Sequence, residues 1–338
     1  MDSLTQIVLG AATGEAVLGK KVGNKAILWG AIAGTIPDLD VLANLFTDPL
    51  TANEVHRGFS HSIVFSILFA PVFGWLINKI YKKKEATWKD WSMLMFWGMF
   101  THPLLDAFTT WGTQLFWPFS FKVSFKNIFV VDPLYTVPFI VCVILAMFYK
   151  RNNPKRSKIN WMGIYLSSGY LVVTLLLKWY TYGVFKQSLE DQNIDYLEIQ
   201  TKPTPLNSIL WNANIKTKNS YLIGSYSLFD KDKNVSFKAF KKNYHLLNGK
   251  ENHPLIMRLI KLSENWYTLQ KVGDELYFND LRFGLLGDES SSTTFVFRYL
   301  LENDNNGDLK VIQSAQNPKD IKPMLKQLWQ RILGNKFF

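Results

Sequence analysis

The pattern of apolar and polar positions divides this chain of 338 residues into two parts suited to different solvents. Up to about Tyr180, largely apolar runs recur at 61 to 78, 91 to 117, 133 to 149 and 161 to 180. Each is close to the roughly 20 residues that a helix needs to cross hydrocarbon. Ahead of them, Leu4 to Gly19 and Lys25 to Pro37 are shorter and rich in small residues, with the Gly/Lys turn GKKVGNK between them. They read as tilted spans or as a hairpin that dips into the membrane and returns, which requires burial against neighbouring helices. From about Val184 the pattern changes to period two in SYLIGSYSL, NWYTLQKV, ELYFND and TTFVFRYLL, punctuated by VGD and NDNNGD. These are the marks of antiparallel strands and their turns. The closing stretch KDIKPMLKQLWQRILG sets Leu325, Leu328, Trp329 and Ile332 on one helical face. The expected fold class is mostly α: a polytopic helical membrane domain over 1–183, then a small extramembrane α+β domain with an antiparallel sheet over 184–338. No repeat of 20 to 50 residues is visible, which argues against a solenoid.

Charge sharpens this division. Of the net charge of +11, +7 lies before Thr181 and +4 after it, a distribution that suits a membrane surface better than nucleic acid. Basic clusters fall at Lys20, Lys21 and Lys25, at Lys79 and Lys82 to Lys84, and at Lys150, Arg151, Lys155, Arg156 and Lys158. With six crossings, or their equivalent, all three clusters share one side, cytoplasmic by the positive-inside rule. The loops 38 to 60 and 118 to 132, both termini and the C-terminal domain are then expected to be extracytoplasmic, with Lys122 and Lys126 running against the trend. The N-terminus MDSLTQIVLG lacks a basic leader region, so its apolar segment is expected to persist in the mature protein. The single cysteine, Cys142, excludes a disulfide framework and a thiolate zinc site within this chain. Any metal has to be held by histidine and carboxylate.

Three polar elements stand out against the apolar background. IPDLD places Asp38 and Asp40 two apart just beyond Ile36, where proline discourages further helix; a turn or helix cap explains such residues equally well. HRGFSHS, residues 56–62, puts His56, Arg57 and His61 at the lip of a span. Half-burying two imidazoles and a guanidinium there is costly unless they are paired or ligated, although interfacial anchoring is a competing explanation. In THPLLDAFTTWGTQLFWPFS, His102 and Asp106 are four apart on one helix face inside an apolar span, with Pro103 expected to kink the helix around Met99 to His102. An ionisable pair at that depth marks a functional site by default, or else a mutually satisfied pair that orders packing.

Together these elements offer histidines and acids able to converge near the outer leaflet. Such N/O sets bind zinc or manganese, and a metal there would supply a nucleophile and an electrophile at once. A carboxylate outside the ligand set, Asp40 or Glu54, could serve as general base. HExxH, GxSxG, Walker and GxGxxG motifs are all absent, which removes the usual support for zincin, serine hydrolase and nucleotide-binding readings.

MDSLTQ, IPDLD, HRGFSHS, THPLLDAFTTWGTQLFWPFS and VVDPLY occur here in an order and spacing that resembles the bacterial inner-membrane metal-dependent hydrolases, a family that includes a LexA-regulated member. The likeness covers about the first 150 residues, and the long C-terminal extension is similar to that of Gram-positive members. It implies a helical membrane hydrolase with a divalent metal, and it maps the family's polar motifs onto Asp38, Asp40, His56, Arg57, His61, His102, Asp106 and Asp132. Members often carry Thr-His near the N-terminus where this chain has Thr5-Gln6. Gln6 can hydrogen-bond but cannot replace an imidazole.

The reading that follows is an inner-membrane, multi-pass hydrolase acting on a phosphoester such as a lipid headgroup at the outer leaflet. Asp38, His56, His61, His102 and Asp106 are the expected metal ligands, with zinc ahead of manganese. Asp40 and Glu54 are candidates for ligand or base, and Arg57 for a phosphate clamp. Phe108, Trp111, Phe116 and Trp117 form either an acyl-chain wall or an interfacial belt. The expected partners are a lipid-like substrate and the membrane, without nucleic acid. An ion-coupled transporter using His102 and Asp106, and a non-catalytic scaffold, are the alternatives.

Overall fold

Asp2 starts the first helix: its carboxylate accepts hydrogen bonds from the Thr5 amide at 3.1 Å and the Thr5 hydroxyl at 2.5 Å, capping α1 (Ser3–Val22). Gly23, with φ +62°, then reverses the chain into α2 (Asn24–Thr35). The two helices pack backbone to backbone. A Cβ on Gly10 would lie 2.2 Å from the Gly30 carbonyl oxygen, and one on Gly14 2.3 Å from that of Ala26. Only glycine permits this approach, which is why the small-residue segments form a tight helical hairpin. In the computed structural model, residues 1–81, 85–286, 293–303, 307–314 and 321–336 are described; Lys82 to Lys84 of the second basic cluster lie outside them.

At Ile36 and Pro37 the chain bends by 41° from α2 into a 3-10 helix, Pro37–Leu45. It continues through α3 (Pro49–Val55), a short 3-10 turn (Phe59–His61), α4 (Ile63–Tyr81), α5 (Trp88–Asp106), α6 (Pro133–Met147) and α7 (Pro154–Asp191). Trp91, Leu94, Met95 and Met99 of α5 pack with Leu18 and Ala33 of the hairpin and with Ala70 and Ile77 of α4. Tyr135, Phe139 and Val143 of α6 cover Val8, Ala11 and Ala12 of α1. Side chains such as Leu68 and Val72 on α4, Val137 and Val141 on α6, and Val172 and Leu176 on α7 remain exposed. Apolar side chains facing outward on helices are expected where the solvent is lipid.

Among the described residues, α4 and α7 are each long and apolar enough to cross a membrane, and α2 with Pro37–Ala43 qualifies only as a bent pair. α6 is apolar but has 15 residues. The span expected at 91 to 117 is corrected: α5 ends at Asp106 and irregular chain follows. There the Thr109 hydroxyl donates to the Asp106 carbonyl at 2.7 Å and Ser124 to the Thr109 carbonyl at 2.8 Å, and Gly112 adopts φ +66°. Side-chain bonds thus replace the helical ladder. The run expected at 161 to 180 belongs to a helix of 38 residues.

The chain forms two compact units, the first comprising Met1–Phe46, Glu54–Leu176 and Pro205–Asn207, the second Thr47–Asn53, Leu177–Thr204 and Ser208–Phe338. In the second, β1 (Glu198–Pro203), β2 (Leu210–Lys216), β3 (Ser220–Ser227) and β4 (Phe237–Lys241) form one antiparallel sheet in sequence order. After α8 (Pro254–Leu262), β5 (Tyr267–Val272), β6 (Glu275–Leu285), β7 (Phe295–Asn303) and β8 (Leu309–Gln313) form another, and α9 (Ile321–Ile332) follows. Ile256 and Leu259 of α8 pack with Leu269, Phe278 and Tyr299, and Leu50 joins the same core. Thr47–Asn53 is further fastened within this unit by Arg258 donating to the Thr51 hydroxyl at 2.8 Å and Asn53 donating to Gln313 at 3.1 Å.

A candidate metal centre

The polar elements meet at the break between α2 and the following 3-10 helix. Carbonyls in the last turn of a helix lack intrahelical partners, and here Gly34 O receives Nδ1 of His102 at 2.6 Å. A carbonyl only accepts, so His102 carries its proton on Nδ1 and presents a lone pair at Nε2. His61 is oriented in the same sense: its Nδ1 lies 3.1 Å from Asp40 Oδ2 and 3.0 Å from Ser60 Oγ. Donation to the carboxylate leaves the Nε2 lone pair of His61 facing inward.

The two Nε2 atoms stand 3.1 Å apart. Asp38 Oδ1 lies 3.4 Å from His61 Nε2 and 3.3 Å from His102 Nε2. Asp106 Oδ2 lies 3.6 and 3.7 Å from the same two atoms. Asp38, His61, His102 and Asp106 therefore form a group that could hold a metal ion, with all four ligand atoms within 4.8 Å of one another. A tetrahedral site with bonds of about 2.0–2.1 Å has ligand-to-ligand edges of about 3.3–3.4 Å, so the donor set fits a divalent cation. Asp106 Oδ2 is buried and accepts no hydrogen bond, and its ion-pair contact with Arg57 Nε lies at 3.2 Å. The side chains of His61, His102 and Asp106 are fully buried and that of Asp38 is 25% exposed, so solvent reaches the group from the Asp38 side.

Surrounding residues hold these four side chains in place. Asp106 Oδ1 accepts from Gln6 Nε2 at 2.9 Å and pairs with the Met1 amino group. Gln6 Nε2 also reaches the His102 carbonyl at 3.3 Å, while Gln6 Oε1 is buried without a hydrogen-bond partner. Arg57 Nε lies 3.2 Å from Asp106 Oδ2, off the hydrogen-bonding direction, and Arg57 Nη1 donates to the Thr109 hydroxyl at 2.8 Å. Arg57 itself has φ +63°, an unfavourable conformation for a non-glycine residue. The hydrogen bond from its amide to Asp40 Oδ2 at 2.9 Å and that from the Gln114 amide to its carbonyl at 3.0 Å hold it there.

The remaining expected site residues fall beside the group. Asp40 is a hub, accepting from the Arg57 amide, from Ser60 Oγ at 2.9 Å and from His56 Nδ1 at 2.8 Å, besides its contact with His61. His56 is thus paired with Asp40 and is not one of the four clustered residues; its side chain is 31% exposed. Glu54 is half-buried on α3, also outside the four. Trp111 is buried near the His56 ring, whereas Phe116 and Trp117 are exposed. Asp132 caps α6 and accepts from Tyr170 at 2.9 Å. Sequence reasoning passed over Gly34, Ser60 and Thr109. No side-chain signal could reveal Gly34, which acts through its carbonyl, whereas Ser60 lay in plain view within HRGFSHS.

A buried two-histidine, two-carboxylate group set on a broken helix among outward-apolar helices defines a helical integral membrane protein with a potential metal site. Over residues 1–181 the chain matches the YdjM inner membrane protein family, and it belongs to that family. Uncharacterized protein YfhP of Bacillus subtilis (strain 168) is 26% identical over 236 residues, covering 66% of this chain and 68% of the relative. No solved structure matches the chain.

Proposed function

We propose that this protein is a membrane-embedded, metal-dependent hydrolase that cleaves a phosphoester of an amphiphilic substrate such as a lipid headgroup. The observation that carries this reading is the pair of imidazoles whose outer nitrogens are committed to Gly34 O and Asp40, so that both inner lone pairs aim at one point beside two carboxylate oxygens. One proton on one imidazole would relieve a single contact, whereas a divalent cation satisfies all four donors. Two nitrogens with two oxygens suit zinc first and manganese second. Such a cation supplies Lewis acidity toward a phosphoryl oxygen and acidifies a water molecule.

The chain's own residues then divide the work. Asp40 orients His61 and, through Nδ1, His56, which leaves His56 Nε2 as the group to take a proton from the attacking water and return it to the leaving alcohol. In this reading His56 is the base and Asp40 its positioning partner, while Arg57 and Gln6 hold Asp106 and Arg57 does not clamp phosphate directly. Glu54 becomes the alternative base if His56 proves dispensable. Leu39, Val41 and Leu42 are exposed on the 3-10 helix that carries Asp38 and Asp40, and Trp117 packs on Phe59 at 4.9 Å. An amphiphile could rest its apolar part on these side chains with its headgroup at the group of four.

The test is metal content and hydrolysis of labelled phospholipids by the purified protein, with and without chelator. His61→Ala and His102→Ala are expected to lose both metal and activity. His56→Ala is expected to keep the metal and lose about 10²–10⁴-fold in rate. Wild-type protein that binds no zinc or manganese would overturn the proposal. Because the helix bearing Asp38 is broken, an ion-coupled transporter is the second reading; metal-dependent flux into vesicles without hydrolysis would favour it.

A further inference from the structure

The last described helix presents apolar side chains to solvent. Ile321, Leu325 and Trp329 on α9, and Leu333 just past its end, are 60%, 45%, 62% and 50% exposed. Spaced four apart, they form one continuous stripe. The helix is fastened to its own unit by other groups near its C-terminus. Ile332 is buried and its carbonyl accepts from Ser227 Oγ at 2.5 Å, and Arg331 makes a two-pronged pair with Asp230 at 2.6 and 2.8 Å. Ile332 anchors the C-terminal end of this same face, and the contacts leave Ile321, Leu325 and Trp329 exposed.

Charge identifies what the stripe faces. Lys322 and Lys326 each follow a stripe residue by one position, about 100° around the helix, so both border the apolar edge. From Ile321 to Lys336 the chain contains no acidic residue. A Trp- and Leu-bearing apolar stripe edged by lysines, on a helix whose sequence alternates the two chemistries, is the pattern of a helix lying in the membrane interface. The chain is already held at a membrane by its N-terminal helices, so the surface is present at high local concentration. We propose that α9 rests on an anionic phospholipid surface, with the stripe entering the headgroup region and Lys322 and Lys326 pairing with lipid phosphates. A soluble partner protein would more often be met by a mixed-charge rim, and a second copy would bring the same lysines face to face.

The experiment uses the full chain in nanodiscs of phosphatidylcholine alone, or of an equal mixture of phosphatidylcholine and phosphatidylglycerol. A polarity-sensitive label is placed at Leu325→Cys or, as the control, at Gln327→Cys, each in a Cys142→Ser background. In the anionic discs the label at 325 is expected to shift to the blue and to be quenched by brominated lipid, while the label at 327 stays aqueous. Lys322→Glu combined with Lys326→Glu, both changes lying outside the contacts that fasten the helix, should lower the ratio of lipid-bound to aqueous label by about tenfold or more. An aqueous label at 325 in anionic discs overturns the proposal. Equal burial in both disc types overturns its electrostatic part, and burial that grows with protein concentration in detergent assigns the stripe to a second copy instead.

Discussion

Asp40 illustrates how much a single carboxylate can organise without being one of the four clustered donors. It touches both His56 and His61 through their Nδ1 atoms, so it sets which ring nitrogen of each is available for chemistry. Asp40→Asn keeps the shape but offers an amide where two imidazoles need an acceptor. It should weaken metal affinity by about 10–100-fold, the usual effect of removing an outer partner of a ligating histidine. Gln6→Ala should act comparably through Asp106, and chelator competition measures both. An unchanged affinity in the two variants would mean that packing alone holds the ligands. At this scale the sequence was informative where chemistry is concentrated. HRGFSHS, IPDLD and the His102/Asp106 pair all contribute to the centre, because ionisable groups in apolar surroundings are costly unless used. That His61 joins the four-residue group while His56 pairs with Asp40 beside it was not legible, since it depends on which side of Asp40 each ring meets.

At the scale of elements, two contacts tie the helices of the first unit together. One is the glycine crossing of α1 and α2, where a Cβ on Gly30 would sit 2.3 Å from the Gly10 carbonyl oxygen. The other is the buried pair of Glu15 and Arg156, joined at 2.6 and 2.5 Å, with Asn24 as a further acceptor at 2.7 Å. Glu15→Gln leaves a buried guanidinium without its counter-charge and should cost about 3–5 kcal/mol. Thermal unfolding of the detergent-solubilised protein reports it, and a melting temperature within a degree or so of wild type would refute the assignment. Gly30→Ala should likewise lower stability, and by moving α2 it should also displace Gly34 O from His102. The hairpin was visible in the sequence as paired small-residue segments. The end of α5 was not, because the aromatic run through Trp117 kept the hydropathy high where threonine and serine side chains had already replaced the ladder.

For the molecule as a whole, the change of solvent along the chain was the most legible property: apolar helices come first and period-two strands follow. Division of those strands between two four-stranded sheets was hidden, because β1, β4 and β8 lack strong alternation and pairing partners are not written in periodicity. The assignment of Thr47–Asn53 to the second unit was equally hidden, since it rests on Leu50 and a few hydrogen bonds. Sidedness is argued from the basic clusters, and reporter fusions after Glu85 and Lys336 measure it directly. A cytoplasmic signal at 85 with an external one at 336 is expected, and the reverse would turn the proposed site toward the cytoplasm.

The four clustered donors come from positions 38, 61, 102 and 106, and the acceptors that fix the two imidazoles from 34 and 40. During synthesis, a chain released before α5 has entered the membrane carries only Asp38 and His61, too few to retain a cation. Under the metal-dependent function proposed above, metal acquisition would be a late event in biogenesis, and loading would become a readout of completed insertion. A nascent chain arrested before Trp88 should retain no labelled zinc, while one arrested beyond α6 should retain it.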